Sequence, residues 1–326
     1  MTLLRLSPLA LSRSRFALSP FAETLGSMTV LDADRPDPWL APWYARHHSR
    51  FQAALDADPF ARGLVRLLGS TKWLPGFVAV PPPGGMSTSI GQELPHLRSG
   101  LSDREVRAEL EDAVAHSWKQ HDLDWLTGRD WGARTADLFE AVWRDHVAPD
   151  WPRRRALLER DVTYRAGLLA AYGWPRALQR MSRQSAWVGA DAIRFSDQDF
   201  PDLVIGDEGM VFVPVSLTSG TWMCEAKPDR YALVYPARGS AATAEPPPDR
   251  ALDQLIGAGR AAVLRELERP ATSSELAAHL GNSLGTVGGH LAVLRNADLV
   301  VGTRVGRRVV YRRTTTGDLL AGQRDS

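Results

Sequence analysis

Five arginines, Arg304, Arg307, Arg308, Arg312 and Arg313, crowd a stretch with no acidic residue from Val300 to Thr314. Clustered guanidinium groups neutralise phosphate, and their hydrogen-bond forks suit its oxygens. The chain uses arginine far more than lysine, 36 against 3, so an ordinary solvated face is the bland alternative. What favours phosphate is the scaffold that precedes the cluster.

Leu299–Arg304 and Arg308–Arg313 are rich in Val, Thr and Tyr, as strands prefer. Gly306-Arg307 between them suits a two-residue hairpin turn with Gly first. Upstream, Thr272 and Glu275 have the spacing of a capping box. Leu276 and Leu280 fall on one helical face. Gly281-Asn282 tolerates the left-handed conformation that ends a helix, and Ser283 is a good N-cap for the next one. On that helix, expected over 283–297, Val287, Leu291 and Leu294 face a core. Gly285, Thr286, Gly288 and Gly289 face outward. Helix, turn, helix and basic hairpin together make a winged helix-turn-helix, whose second helix enters the major groove of duplex DNA by its N-terminal part.

Other residues test an enzymatic reading. Gly257-Ala258-Gly259-Arg260-Ala261-Ala262 fits the dinucleotide fingerprint G-x-G-x-x-A, which needs a preceding strand and a βαβ context. LDQLIGAGRAAVLREL reads instead as helical throughout, with Val263 and Leu267 feeding the winged-helix core. No phosphate loop ending in Gly-Lys-Ser/Thr and no G-x-S-x-G elbow occurs. His116 and His121 are badly spaced for a shared metal, His47-His48 reads as part of a polar segment, and Asp112 with His116 reads as a surface helical pair. Cys224, the only cysteine, reads as an inert buried thiol. No catalytic residue, cofactor or metal is expected.

Residues from about 255 to 315 resemble the winged helix-turn-helix of ArsR-type bacterial transcriptional regulators. SSELAAHLGNS, TVGGHLAVLR, the LVV after the second helix and GRRVVYRRT at the wing carry the resemblance. The long N-terminal region resembles an uncharacterised domain preceding this module in some actinobacterial regulators, through RFALSPFAETLGS and YALVYPARG. The resemblance implies binding of double-stranded DNA as a homodimer. Ser283, Thr286, Gly288, Gly289 and His290 would lie near the groove, and Arg304, Arg307 and Arg308 on the backbone or in the minor groove. For His290, where the family often has His, two roles stay open: approaching a phosphate or packing under the helix. Two departures stand out. The family commonly places Ser and a longer polar residue where this chain has Gly288-Gly289, and each helical glycine costs about 1 kcal/mol against Ala. The paired cysteines of the family's metal sensors are absent.

The 326-residue chain has room for two domains. Its net charge is +1, but from Arg250 onward 11 arginines face seven acidic side chains, so the basic surplus falls on the region with the DNA-binding pattern. GSAATAEPPPD at 239–249 reads as an extended linker. It separates a mostly helical N-terminal α+β domain, 1–238, from the winged helix, 250–326. In the N-terminal region Ser19-Pro20 starts a helix with Phe21, Leu25 and Met28 on one face. PPPGGMSTSIGQ at 81–92 reads as a loop. Ser102 and Glu105 form a second capping box, with Val106, Leu110, Val114 and Trp118 continuing the apolar face. Leu138, Phe139, Val142 and Trp143 mark a helix, and Leu158, Val162, Leu169 and Tyr172 a longer one. LVIGDEGMVFVPVSL at 203–217 reads as a hairpin and YALVYP at 231–236 as a further strand. All eleven tryptophans lie at or before Trp222. Core packing is the plain reading of them, an aromatic effector pocket the functional one. No 18-residue apolar run suggests a membrane span, and arginines interrupt the N-terminal apolar stretch, so a cytoplasmic protein is expected. Only about ten residues follow the wing, which leaves the N-terminal domain to supply dimer contacts. The alternatives are a protein-interaction module that kept a degenerate winged helix, and an N-terminal enzyme with DNA binding attached.

Overall fold

A computed structural model describes residues 2–179, 181, 186–189, 191–196, 202–217, 220–238, 250–306 and 308–321. The chain divides into two compact units, Met1–Ala244 and Glu245–Ser326. The proposed linker at 239–249 lies outside the described residues. The class is α+β.

The first unit is organised around the helix Pro20–Asp32. Ser19 caps it, its Oγ accepting from the Ala22 amide at 2.9 Å, with Pro20 at the first position. Its buried residues run from Pro20 to Met28 without a break, so it is a central helix wrapped on all sides. Phe21 stacks on Phe139 with ring centres 4.1 Å apart, and Leu25, Met28 and Leu31 join Leu64, Val106 and Leu110 in the main core. Polar groups on this helix are satisfied inside. Thr24 and Ser27 donate to carbonyls one turn back, and Glu23 accepts from Arg154 at 3.1 Å and from the Ser216 amide at 2.8 Å.

Two mixed sheets flank the helices. In chain order the strands of this unit are β1 (Thr2–Leu6), β2 (Arg15–Phe16), β3 (Ala186–Val188), β4 (Ala192–Ser196), β5 (Leu203–Ile205), β6 (Met210–Val215), β7 (Trp222–Ala226) and β8 (Arg230–Pro236). One sheet has the order β3-β4-β1-β5, the other β2-β6-β8-β7. The segment 203–217 is therefore not a hairpin. β5 pairs in parallel with β1, while β6 pairs in parallel with β2 and β8. Asp207-Glu208-Gly209 does turn the chain, with Gly209 at φ +77°, but the turn hands it from one sheet to the other. A Cβ on Gly209 would sit 2.6 Å from the Ala10 carbonyl oxygen. β6 is buried on both faces, with Met210 and Phe212 in one cluster and Val211, Val213 and Val215 in another. An unbroken apolar run marks such a strand.

Several expected helices appear with altered ends. The capping box at Ser102 and Glu105 starts the helix Asp103–Ala115, which stops before Trp118, left 58% exposed. The helix Trp151–Tyr172 holds Leu158, Val162, Leu169 and Tyr172, though Tyr172 is solvent-facing. Its interior is polar as well as apolar. Asp161 accepts from Arg165 Nε at 2.9 Å, from the Tyr235 hydroxyl at 2.8 Å and from the Arg238 amide at 3.0 Å, fastening the helix to β8. His47 and His48 lie on a polar stretch of the helix Ala41–Ala57 and are half-buried. His47 faces His146, Nδ1 to Nδ1 at 3.1 Å, and burial with this second imidazole holds His146 down to about 4. His116 and Asp112 form the surface pair at 3.5 Å. Cys224 is buried, and burial pushes its thiol up to about 12.

The second unit opens with two helices, Arg250–Ile256 and Ala258–Glu266. They are separate because Gly257 takes φ +84°, so LDQLIGAGRAAVLREL is not one helix. The left-handed residue needs a glycine, and the break lets the second helix turn its Ala261, Val263 and Leu264 into the core. No helix among the described residues is long and apolar enough to cross a membrane.

Candidate nucleic-acid interface

The helix Ser273–Leu280 begins with the full capping box. The Thr272 amide donates to Glu275 at 2.7 Å, and the Glu275 amide donates to Thr272 Oγ1 at 3.3 Å. It ends at Gly281, φ +63°, with the Asn282 amide returning to the Ala277 carbonyl at 3.1 Å. That closure leaves two residues for the turn before the helix Leu284–Asn296. Val287, Leu291 and Leu294 of this helix are buried with Leu276, Leu264 and Val263. The buried stripe fixes which face remains outside.

The outer face carries Ser283, Leu284, Gly285, Thr286, Gly288, Gly289, Ala292 and Val293, all exposed. Ser283 Oγ accepts from the Thr286 amide at 3.1 Å and lies 2.8 Å from Thr286 Oγ1. Two hydroxyls thus stand at the helix start, where backbone amides also point outward. A Cβ on Gly288 or Gly289 would meet nothing within 4 Å. The fold does not require those glycines, and they leave a smooth ledge beside the hydroxyls. His290 is half-buried instead. A Cβ on Gly259 would come within 2.6 Å of its Nε2, so Gly259 is the seat for the His290 ring. The ring thus packs against the helix Ala258–Glu266, and the second glycine of the fingerprint-like motif has a place inside that helix.

The wing follows. β9 (Ala271–Thr272), β10 (Val300–Val305) and β11 (Arg308–Arg313) form a sheet of order β10-β11-β9. β10 and β11 are antiparallel, with Val305 opposite Arg308 across the turn and Gly306 at φ +61°. Gly302 lies opposite Tyr311, and a Cβ there would approach the Tyr311 ring to 2.9 Å. The glycine lets that ring lie across the strand and reach the core.

Alternation along the pair separates the arginines. Arg308 and Arg312 lie on one face, and Arg304, opposite Val309, on the other, all three exposed. Arg304 Nε donates to the Gly306 carbonyl at 3.3 Å, folding it over the turn. Arg307 lies outside the described residues. Arg313 does not belong to the phosphate-facing cluster. It is 7% exposed, and it donates from Nε to the Leu264 carbonyl and from Nη2 to the Arg265 carbonyl, each at 2.6 Å. It caps the C-terminal end of the helix Ala258–Glu266. Burial draws its pKa down, with Glu268 and Asp318 opposing that shift. The period-two pattern held a signal for this, since Tyr311 and Arg313 share one face of the strand and Arg312 the other.

After the wing, Thr314 caps the short helix Thr315–Leu320. A Cβ on Gly317 would lie 2.1 Å from the Leu299 carbonyl oxygen, so this helix is pressed onto the end of the hairpin. Sequence reasoning did not foresee it.

Residues 260–303 match a family described as a helix-turn-helix domain. The match spans the helix Ala258–Glu266 nearly whole, both helices of the motif and the start of β10. No curated protein and no solved structure matches the chain.

Proposed function

We propose that the chain is a DNA-binding transcriptional regulator of ArsR-like type, gripping duplex DNA with the second unit. The carrying observation is a helix-turn-helix whose exposed second-helix start bears two hydroxyls, followed by a hairpin on which Arg304, Arg308 and Arg312 are all exposed. Ser283, Thr286 and the glycine ledge at Gly288-Gly289 would lie nearest the bases. Arg304, Arg307, Arg308 and Arg312 would bind phosphates. With so few side chains able to reach base edges, recognition would lean on phosphate contacts and DNA shape. The first unit would join two copies and sense an effector, and no catalytic step is assigned to the chain.

Selection of random duplex DNA by the full-length protein tests this. The expected result is a two-fold symmetric motif with half-sites about one helical turn apart. Affinity should fall steeply with salt, and Arg307→Ala with Arg308→Ala should lower the slope by roughly 0.9 for each phosphate left without its arginine. Sedimentation at micromolar concentration should give a dimer; a monomer there would remove the half-site argument.

A second reading has one observation in its favour. Leu284 is 55% and Val293 46% exposed on the same outer face, as a protein-docking surface would have them. Binding without salt dependence, or no DNA enrichment by a folded protein, would favour it.

A further inference from the structure

We propose that the first unit binds a small organic carboxylate, an aromatic or short aliphatic acid, in the cleft between the helices Ala41–Ala57 and Trp151–Tyr172. Trp39, Trp43 and Leu157 supply apolar walls, with Leu217 from the segment after β6, and Arg46, Arg153 and Arg154 supply charge.

Two buried donors carry the inference. Arg154 is held on one side only: its Nη1 donates to Glu23 Oε1 at 3.1 Å and to Ser27 Oγ at 2.9 Å. Among the described residues its Nη2 has no hydrogen-bond partner, and neither has the indole Nε1 of Trp43. Both residues line the cleft, both are 93% or more buried, and the guanidinium carbon lies 4.7 Å from the Trp43 ring centre. Native interiors rarely leave such donors unmade, and an orphaned buried donor points to a missing acceptor. An arginine edge and an indole N–H are the donor types that the two oxygens of a carboxylate accept from, and here the guanidinium lies over the Trp43 ring.

The surrounding charge agrees with an anion. Asp150 also lines the cleft, but it is tied to Arg46 at 3.5 Å. Arg153 pairs with no carboxylate among the described residues. Counting Glu23 behind Arg154, three guanidiniums face two carboxylates. Size narrows the class further. A cavity of roughly 150 Å³ takes a benzene ring, so a cleft of about 180 Å³ suits a benzoate-sized acid. Neither donor touches bulk water, so the acid enters beside the Trp43 indole and displaces that ring slightly.

This inference gives the effector of the regulator reading a chemical class, and it rests on that reading only for its regulatory consequence. Calorimetric titration of the full-length protein with benzoate, phenylacetate and hexanoate tests it without DNA. Saturable binding of at least one acid is expected, with its neutral amide at least roughly tenfold weaker, the usual worth of a hydrogen bond to a charged group. Trp43→Phe removes the indole donor and keeps the ring; Arg154→Lys keeps a cation for Glu23 and removes Nη2. Each should weaken the acid by a similar factor. If Arg154→Lys fails to fold, Trp43→Phe and Arg153→Gln decide. A folded protein that takes up none of the three acids through the millimolar range overturns the proposal. So does equal binding of acid and amide, or unchanged binding by the variants. A change of DNA affinity on adding the acid is a separate readout, so acid binding without any DNA binding would sink only the regulator reading.

Discussion

Replacing Gly288 and Gly289 by alanine should strengthen the second helix of the motif. Both positions are interior to Leu284–Asn296, neither has a positive φ, and an added Cβ at either meets nothing within 4 Å. The native state therefore accepts the methyl groups without strain, while the unfolded chain loses backbone freedom. Each substitution is worth about 1 kcal/mol, and the pair about 2 kcal/mol, or roughly a 30-fold slowing of helix opening. Hydrogen exchange of peptides covering residues 284–296 measures this in the intact protein. Gly317→Ala supplies the opposite sign in the same experiment, because its Cβ would lie 2.1 Å from the Leu299 carbonyl oxygen. Unchanged or faster exchange in the Gly288→Ala/Gly289→Ala protein would refute the claim that this surface is free in the isolated chain. DNA affinity read alongside adds a second arm. If the ledge lies against DNA, affinity falls while stability rises, a pairing that unfolding cannot produce.

Arg313→Ala should destabilise the second unit by about 2–4 kcal/mol, since two carbonyls lose their donors. A far-UV transition at lower temperature with unchanged tryptophan emission would show it, because every tryptophan lies at or before Trp222; a shift in tryptophan emission would contradict it. Cys224 should ignore thiol reagents at pH 8 until denaturant is added, as its pKa of about 12 leaves almost no thiolate, and rapid labelling of native protein would contradict that. Glu93 is raised from 4.5 to about 7 by burial, against hydrogen bonds from Ser19 and Phe21 that lower it. Between those values the folded protein holds a proton that the unfolded chain has lost. Its contribution is thus full below pH 4.5 and is lost as pH rises through 7, amounting to at most about 3 kcal/mol. Urea midpoints of Glu93→Gln minus wild type, followed by tryptophan emission from pH 5 to 8, should grow over this range; a flat difference would contradict the burial argument.

Local signals were readable where a single residue's chemistry decides the backbone. The caps at Ser19, Ser102, Thr272 and Ser283 and the stop at Gly281 all follow from hydrogen bonds made within one turn. The face of Val287, Leu291 and Leu294 followed from helical period alone. What stayed hidden depended on partners remote in the chain. Met210–Val215 looks like half a hairpin until β2 and β8 take it on both sides. Arg313 looks like its neighbours until the helix Ala258–Glu266 offers two bare carbonyls. Gly257 looks like a tolerated helical glycine, because nothing nearby reveals that the chain must turn there. At the candidate interface, Ser283, Thr286, Gly288 and Gly289 follow from helical phase, and the half-buried position of His290 depends on Gly259 in the helix Ala258–Glu266.

The position of β1 bears on how the protein is made. This strand is the chain's first element, yet it lies inside its sheet, between β4 and β5. The Leu3 amide reaches Asp202 across 199 positions. At a synthesis rate of roughly 5–20 residues per second, those partners leave the ribosome about 10–40 s after β1 does. β2, waiting for β6, and Glu23, waiting for Ser216, share the delay. The nascent first unit thus carries an apolar strand with no neighbours through most of its synthesis, a stretch for a chaperone to cover. The second unit, with its short-range contacts, can close as soon as its own last strand emerges. Removing Thr2–Leu6 would accordingly take out the inside of a sheet.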